Sequence, residues 1–134
     1  MRVPHALLLV CSLLVTNAAA QTASKLENTT AAQIRKLGGT VRINPRIKGK
    51  PVVLVALRGA AVTDAKLVLL KGLTELQVLD LSGTQVTDAG LEHLKGLTSL
   101  QTLNLKRTKV TDAGLVHLKG LTKLQRLWLT VDRT

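Results

Sequence analysis

The sequence predicts an α/β solenoid, in which copies of one strand-and-helix unit stack side by side. The segment LQVLDLSGTQVTDAGLEHLKGL starts at Leu76, and LQTLNLKRTKVTDAGLVHLKGL starts at Leu100. A more divergent copy starts at Val52, and a fourth, partial copy starts at Leu124. Self-similarity at a fixed spacing is the sequence signature of an architecture whose units bury their apolar faces against each other. Residues 52–134 are therefore interpreted as three repeats and a partial fourth.

The amino-acid composition agrees with a stack of equivalent layers. The chain of 134 residues is 46% hydrophobic but only 1% aromatic, and Trp128 is its sole aromatic residue. The core must therefore be aliphatic, and the length suits one domain. The formal net charge of +11 indicates acidic partners or an anionic surface. Alternatively the charge only keeps the protein soluble, because Lys and Arg are spread along the chain.

Residues 1–20 have the pattern of a secretory signal peptide. Arg2 precedes an apolar run over residues 6–15, and three alanines end the segment at Ala20. A basic start, a short apolar run and small residues at the cleavage point are what a signal peptidase substrate contains. Cleavage would remove Cys11, the only cysteine. The mature chain has no other apolar run long enough to cross a bilayer, so we expect a secreted, periplasmic or cell-envelope protein.

Residues 21–28 are predicted to form a flexible tail, and residues 29–51 an N-terminal cap on the solenoid. Thr29 or Thr30 is expected to cap a helix, which ends at the two glycines that precede Thr40. A strand over residues 40–44 would follow, with Val41 and Ile43 directed inward. Terminal repeats need such an atypical cover. The basic segment 42–50 is alternatively an arm that binds an anion.

The second repeat illustrates the unit. Leu79 and Leu81 share one face of a strand, because side chains alternate along it. A helix of about eight residues then starts at Thr87 and Asp88, whose oxygens are expected to accept hydrogen bonds from the first amides of the helix. Because equivalent residues of successive repeats stack on each other, two ladders of side chains are predicted. The acidic ladder comprises Asp64, Asp88 and Asp112, and the basic ladder comprises Lys71, Lys95 and Lys119.

The pattern LxxLxLxxTxVTDAGLxxLKGLT resembles the leucine-rich repeat. It is similar to the short TDAGL repeats of planctomycete-like bacterial proteins and to the TDxGL repeats of F-box proteins. The resemblance implies a right-handed solenoid with a parallel sheet on the concave face and short helices on the convex face. It also implies protein binding, and leaves open a fragment of a longer array, such as an F-box-like substrate-binding region. Thr84, Thr108 and Ala60 replace the usual Asn; the threonine hydroxyls can still bond to local backbone, whereas Ala60 cannot.

The sequence contains no arrangement typical of catalysis or cofactor binding. There is no nucleophile–base pair, phosphate loop, CxxC or HExxH motif. His93 and His117 occupy the same repeat position, are expected on the outer side of the helices, and lack a third metal ligand. We therefore expect no enzyme activity, no cofactor and no metal. Nucleic acid is not an expected partner either, because stacking aromatics are nearly absent.

The concave face is the candidate binding surface. Strand positions that face the core repeat from copy to copy, whereas those that face away from it differ, as expected of a recognition surface or of an unconstrained one. The candidate binding residues are Arg58, Asp80, Asn104, Lys106, Arg126 and Trp128. The predicted function is that of an exported, non-catalytic module that binds a protein partner of unknown identity. The alternative is a basic module that binds an anionic glycan or membrane surface. The last strand, 124–130, is also expected to support self-association, because its edge is open.

Overall fold

A computed structural model describes residue 25 and residues 28–59 and 61–130. The predicted signal peptide, most of the predicted tail and Ala60 lie outside the described residues. The strands are β1 (Thr40–Ile43), β2 (Val52–Ala56), β3 (Val78–Asp80), β4 (Thr102–Leu105) and β5 (Arg126–Leu129). The helices are α1 (28–36), the 3₁₀ helix Asp64–Leu70, α2 (Asp88–Leu91) continued by the 3₁₀ turn Glu92–Leu94, and the 3₁₀ helix Asp112–Leu118.

One five-stranded sheet, in the order β1-β2-β3-β4-β5, forms the framework of the described chain. The strands of the repeats, β2 to β5, pair in parallel, and each helical segment links one strand to the next. The register places Val55, Leu79, Leu103 and Leu127 side by side. Equivalent residues of successive repeats are therefore neighbours in the sheet, which confirms the predicted stacking and the α/β fold class.

The core between sheet and helices is aliphatic, as the composition predicts. Leu79 and Leu81 are fully buried on the inner face of the strands, and Leu91 and Leu94 meet them from the helical side. Burying a leucine side chain contributes about 1.5–3 kcal/mol, which exceeds any intrinsic helix preference of so short a segment. Packing between layers therefore determines where the helical segments lie.

The helical segments are shorter in α-helix and richer in 3₁₀ helix than the sequence suggests. Two of the three, Asp64–Leu70 and Asp112–Leu118, are 3₁₀ throughout. A 3₁₀ helix rises about 2.0 Å per residue, against about 1.5 Å in an α-helix. The narrower, longer form lets a seven-residue segment span its layer and return the chain to the next strand within a short repeat.

The N-terminal cap has the predicted helix and strand. β1 pairs antiparallel with β2, and Val41 and Ile43 pack against the core. Gly38 has a φ of 77° at the end of α1, a left-handed conformation that glycine adopts without steric cost. This antiparallel strand covers the outer side of β2 and closes that end of the core.

The predicted start of the cap helix is wrong. Lys25 and Asn28 are already helical, so Thr29 and Thr30 lie inside the helix instead of capping it. The Thr29 hydroxyl donates a hydrogen bond to the carbonyl of Lys25, 2.8 Å away, which is the bond that a threonine within a helix makes to the preceding turn.

No helix in the described part of the chain combines the length and apolarity needed to cross a bilayer.

Candidate binding surface

The concave face is formed by two rows of side chains that cross the sheet. One row contains Arg42, Leu54, Val78, Thr102 and Arg126, and the other Thr40, Ala56, Asp80, Asn104 and Trp128. These side chains alternate with the buried residues of the same strands. Core positions are nearly constant along the stack, whereas each row changes its chemistry from one strand to the next.

The six residues selected from the sequence differ in exposure. Arg58, Lys106, Arg126 and Trp128 are exposed, Asn104 is half-buried, and Asp80 is buried. The structure brings Arg58 and Asp80 into direct contact. Arg126 and Trp128 lie on the same face, on the last strand of the sheet, β5. Asn104 lies between Asp80 and Trp128 in the same row, so the candidates extend across the sheet from the Arg58–Asp80 pair to β5.

Asp80 is not a free carboxylate on the binding surface, which corrects the expectation from the sequence. Its Oδ2 accepts a hydrogen bond from Arg58 Nε at 2.8 Å, and its Oδ1 accepts one from Ser82 N at 3.0 Å. The side chain of Arg58 is 72% exposed and that of Asp80 only 13%. Asp80 therefore positions the arginine, and the arginine is the group that faces solvent.

The environment of Asp80 sets its protonation state. Partial burial acts to raise the pKa of Asp80, but the hydrogen bonds from Ser82 and the hydrogen bond and positive charge of Arg58 outweigh it, so the pKa is lowered. The carboxylate therefore stays charged at neutral pH. Asn104, at the equivalent position of the next repeat, accepts a similar hydrogen bond from Lys106 N at 3.1 Å. Aspartate and asparagine at this position thus have a structural role in the turn after the strand.

The acidic ladder links repeats instead of capping helices. Asp64 accepts hydrogen bonds from Thr87 N at 2.7 Å and from Thr87 Oγ1 at 2.6 Å, although Thr87 belongs to the next repeat. Asp88 accepts the same pair from Thr111. Thr87 and Thr111 make no side-chain capping hydrogen bond of their own, so the predicted capping role is wrong.

The glycine of the TDAGL phrase makes room for this link. A Cβ added at Gly90 would collide with the Asp64 carboxylate, and one added at Gly114 would collide with the Asp88 carboxylate. The first repeat has Lys66 at this position, where there is no preceding repeat to supply an aspartate. The sequence contains a signal for this contact. The helical segments of the second and third repeats contain a glycine at a position where the first repeat has lysine.

The two threonines that replace the consensus asparagine satisfy local backbone, as the sequence suggests. Thr84 Oγ1 donates to the Leu81 carbonyl at 2.7 Å, and Thr108 Oγ1 donates to the Leu105 carbonyl at 2.7 Å. Both bonds tie the turn back to the end of its strand. The turn that contains Ala60 lies partly outside the described residues.

The histidines are less exposed than the sequence suggests. His93 and His117 are half-buried, and each Nδ1 is enclosed without a hydrogen-bonding partner among the described residues. The Nδ1 atoms of both histidines are therefore shielded from solvent. Among the described residues, no group of three or more His, Cys, Asp or Glu side chains is arranged to hold a metal ion.

We expect Asp88→Ala to lower the free energy of unfolding by about 1–2 kcal/mol, because it removes two hydrogen bonds to a partly exposed carboxylate. The hydrogen bonds from the Thr111 hydroxyl and amide hold the pKa of Asp88 below its ordinary value of 3.8. A lowered folded-state pKa contributes stability above the unfolded-state value and loses it as the pH falls through the folded-state value. The difference between wild type and variant, measured by urea unfolding, should therefore narrow below about pH 4.

Asp112→Ala is the matched control for this experiment. Asp112 occupies the same repeat position, but among the described residues its carboxylate accepts no hydrogen bond. We expect a change under about 0.5 kcal/mol, as for other surface substitutions. Equal destabilisation by both substitutions would contradict the inter-repeat role of Asp88.

Arg42, which the sequence places only within the basic segment 42–50, is a further charged residue of the concave face. Arg42 lies on the concave face because β1 pairs antiparallel with β2, which sets Arg42 beside Leu54. A groove of about 420 Å³ runs along this strand pair, lined by Gly38, Thr40, Arg42, Leu54, Ala56 and Arg58. The alternation of residues 40–43 could have placed Arg42 on the face opposite the inward-facing Val41, but it could not show that Arg42 and Arg58 line the same groove.

Comparison with protein families identifies the repeats. Residues 74–117 match the family described as leucine-rich repeats in two copies. A search of curated proteins found no match. Together with the parallel sheet and the short helices, the match identifies a leucine-rich repeat fold. Such repeats commonly mediate protein–protein interaction and are typically non-catalytic, so protein partners are the class that this fold indicates.

Proposed function

We propose that this chain is an exported, non-catalytic module that holds a protein partner on its concave sheet. The observation that carries the proposal is the contrast between the two faces of the strands. The strand residues that face the core are all aliphatic: Val55, Leu79, Leu103 and Leu127. The neighbouring row on the concave face changes from Leu54 through Val78 and Thr102 to Arg126. A surface with this varied chemistry over a constant framework suits recognition of one particular partner.

Arg126 and Trp128 are the proposed anchors. Both side chains are exposed on β5, and Trp128 keeps 40% of its surface accessible. Tryptophan and arginine are enriched among the residues that dominate interface energetics, because they combine large contact area with directional polar groups. Trp128 is also the only aromatic residue of the chain, so a partner has no alternative aromatic anchor.

The double variant Arg126→Ala, Trp128→Ala tests the proposal. The partner would first be identified in the envelope fraction of the source organism and purified, and its Kd would then be measured by calorimetry. A single hot-spot anchor contributes about 2 kcal/mol or more, and the contributions of neighbouring anchors do not simply add. We therefore expect the double variant to bind at least about 30-fold more weakly, the effect of one anchor alone.

The matched control removes a basic and an apolar side chain from the convex face. Val116 and Lys119 are both exposed there, and Val116→Ala, Lys119→Ala should leave the Kd within about twofold of wild type, as expected for residues outside the interface. Equal Kd values for wild type and the Arg126, Trp128 variant would exclude these two anchors.

Export rests on the signal-peptide pattern of residues 1–20, which lie outside the described residues. N-terminal sequencing of the protein recovered from the envelope or medium should begin at Gln21; a protein that begins at Met1 would contradict processing there.

Within the leucine-rich repeats, the narrower assignment to the bacterial TDAGL type rests on the repeated phrases that end with Leu91 and Leu115.

Self-association through β5 is part of the same proposal. Within the described residues β5 pairs only with β4. Leu127 is 36% exposed, whereas Leu103 and Leu79 at the same repeat position are fully buried. An exposed strand edge beside an apolar side chain favours pairing with another chain.

The alternative function, binding of an anionic glycan or membrane surface, differs from protein binding in its salt dependence. Binding through charge weakens strongly between low and moderate salt.

A further inference from the structure

The N-terminal part of the described chain is strongly basic. No acidic residue occurs between Asn28 and Thr63. The basic residues of this segment are Arg35, Lys36, Arg42, Arg46, Lys48, Lys50 and Arg58. All of them are exposed. Among the described residues, Arg58 is the one member of this group that is paired with a carboxylate, that of Asp80. This end of the solenoid therefore keeps a positive potential that attracts acidic groups.

A groove on the concave face concentrates this charge. Arg42 lies beside Leu54 of β2. Arg58 comes four residues after Leu54, just beyond the end of β2. Four residues of extended chain span roughly 13 Å, so the two arginines mark opposite ends of the groove. Between them the lining is small or aliphatic, with Thr40 paired beside Ala56. The groove is therefore open in the middle and has a guanidinium at each end, of which that of Arg58 is paired on one edge with Asp80.

Arg58 is held in position for a ligand. Its Nε donates to Asp80 Oδ2, and Asp80 is itself fixed by the hydrogen bond from Ser82 N. This contact uses one edge of the guanidinium and leaves the terminal amino groups, on a side chain that is 72% exposed, for another partner. A guanidinium presents paired N–H groups in a fixed plane that matches both oxygens of a carboxylate.

We propose that this groove binds an extended acidic peptide segment, with one carboxylate on Arg42 and another on Arg58. The proposal rests on the proposed function and names the chemistry of the partner. Two carboxylates separated by two to four residues of extended chain span about 7–13 Å, which the two flexible arginines can reach. The half-buried Leu54 and Ala56 supply apolar contact for the side chain between them.

A peptide fits this groove better than a sugar polymer does. Peptide carboxylates match the guanidinium fork, and the aliphatic lining suits a small apolar side chain. The only aromatic surface of the chain, Trp128, lies on β5, separated from β2 by two strands. The acidic segment would therefore occupy the β1–β2 side of the concave face, and Arg126 and Trp128 would remain available to the rest of the partner.

The experiment measures binding of a defined probe to the purified protein. The probe is the fluorescein-labelled peptide Ser-Glu-Thr-Val-Thr-Glu-Ser, with a control peptide in which glutamine replaces both glutamates. Fluorescence anisotropy would be recorded at about 50 mM salt, where exposed charges are weakly screened. Arg42→Gln and Arg58→Gln should each weaken binding at least about tenfold, as loss of a charged hydrogen-bonded partner does.

Two convex-face substitutions remove the same charge elsewhere. Lys71 and Lys119 are exposed at the ends of the helical segments of the first and third repeats, and Lys71→Gln and Lys119→Gln should change the affinity less than about twofold. Arg58→Lys should recover only part of the binding, because lysine keeps the charge but lacks the fork. Unchanged circular dichroism and Tm would verify that each variant is folded.

Three results would overturn the proposal. The first is no preference of the wild type for the glutamate peptide over the glutamine peptide. The second is equal weakening by groove and convex variants, which would indicate attraction by net charge alone. The third is groove-dependent binding of a sulfated oligosaccharide but not of the peptide, which would assign the groove to a glycan. Each leaves the partner test of Arg126 and Trp128 unaffected, so the two proposals can fail separately.

Discussion

Replacing Leu79 by alanine should lower the free energy of unfolding by about 2–5 kcal/mol, and Leu103→Ala should have an effect of the same size. Both side chains are fully buried in the centre of the sheet. Truncation removes the transfer free energy of the lost methyl groups and leaves a cavity that the neighbouring layers cannot fill, because the strands on both sides keep their positions. Equilibrium unfolding in urea measures the change.

Leu127→Ala is the matched control, because Leu127 occupies the same position in the last described strand. Its side chain is 36% exposed, so less transfer free energy is lost and no closed cavity forms. We expect a cost of about 1–2 kcal/mol. Similar midpoints for Leu79→Ala and Leu127→Ala would show that the inner face of the sheet has been assigned incorrectly.

Gly90→Ala should destabilise the protein by about 2–4 kcal/mol, the sum of overpacking and of weakened hydrogen bonds. The added methyl group would collide with the Asp64 carboxylate and lie 3.0 Å from Leu67 Cδ1. The carboxylate cannot move aside without loosening its hydrogen bonds to Thr87. Thermal and urea unfolding both measure this effect.

Gly96→Ala is the control for Gly90→Ala. A Cβ at Gly96 meets no atom within 4 Å, so we expect no loss of stability and a small gain of roughly 0.4–1 kcal/mol from reduced freedom of the unfolded chain. The double variant Asp64→Ala, Gly90→Ala removes one of the two colliding groups. It should cost less than the sum of the single variants, since residues in contact couple; strict additivity would contradict the steric argument.

These contacts explain how a chain with short helical segments presents a defined surface. Each Asp–Thr link ties one repeat to the next, and the glycine beneath it allows the layers to approach closely. The strands above are thereby held in register. Charged groups on the concave face, such as Arg58 with its Asp80 partner, consequently occupy positions determined by the stack and not by a flexible loop.

The sequence by itself determined the repeat, the register of the parallel strands and the aliphatic core. The reason is that Leu79 and its equivalents recur both at alternate positions within a strand and at one spacing along the chain. Only stacking of like on like buries all of them together. The cap was partly predictable for the same reason, because Val41 and Ile43 alternate with polar residues. The beginning of its helix was not, since Thr29 is compatible with both a cap and a helix interior.

The tertiary structure alone decided which polar groups meet. From the sequence, Asp88 is expected to accept hydrogen bonds from the amides of its own helix, and Asp64 holds the same repeat position. In the fold, each finds an amide and a hydroxyl together on a threonine of the next repeat. Asp80 meets Arg58 in the same way, across two strands. Apolar burial is non-directional, so a pattern along the chain is enough to predict it. Hydrogen bonds depend on distance and angle, and for residues far apart in sequence these exist only once the chain has folded.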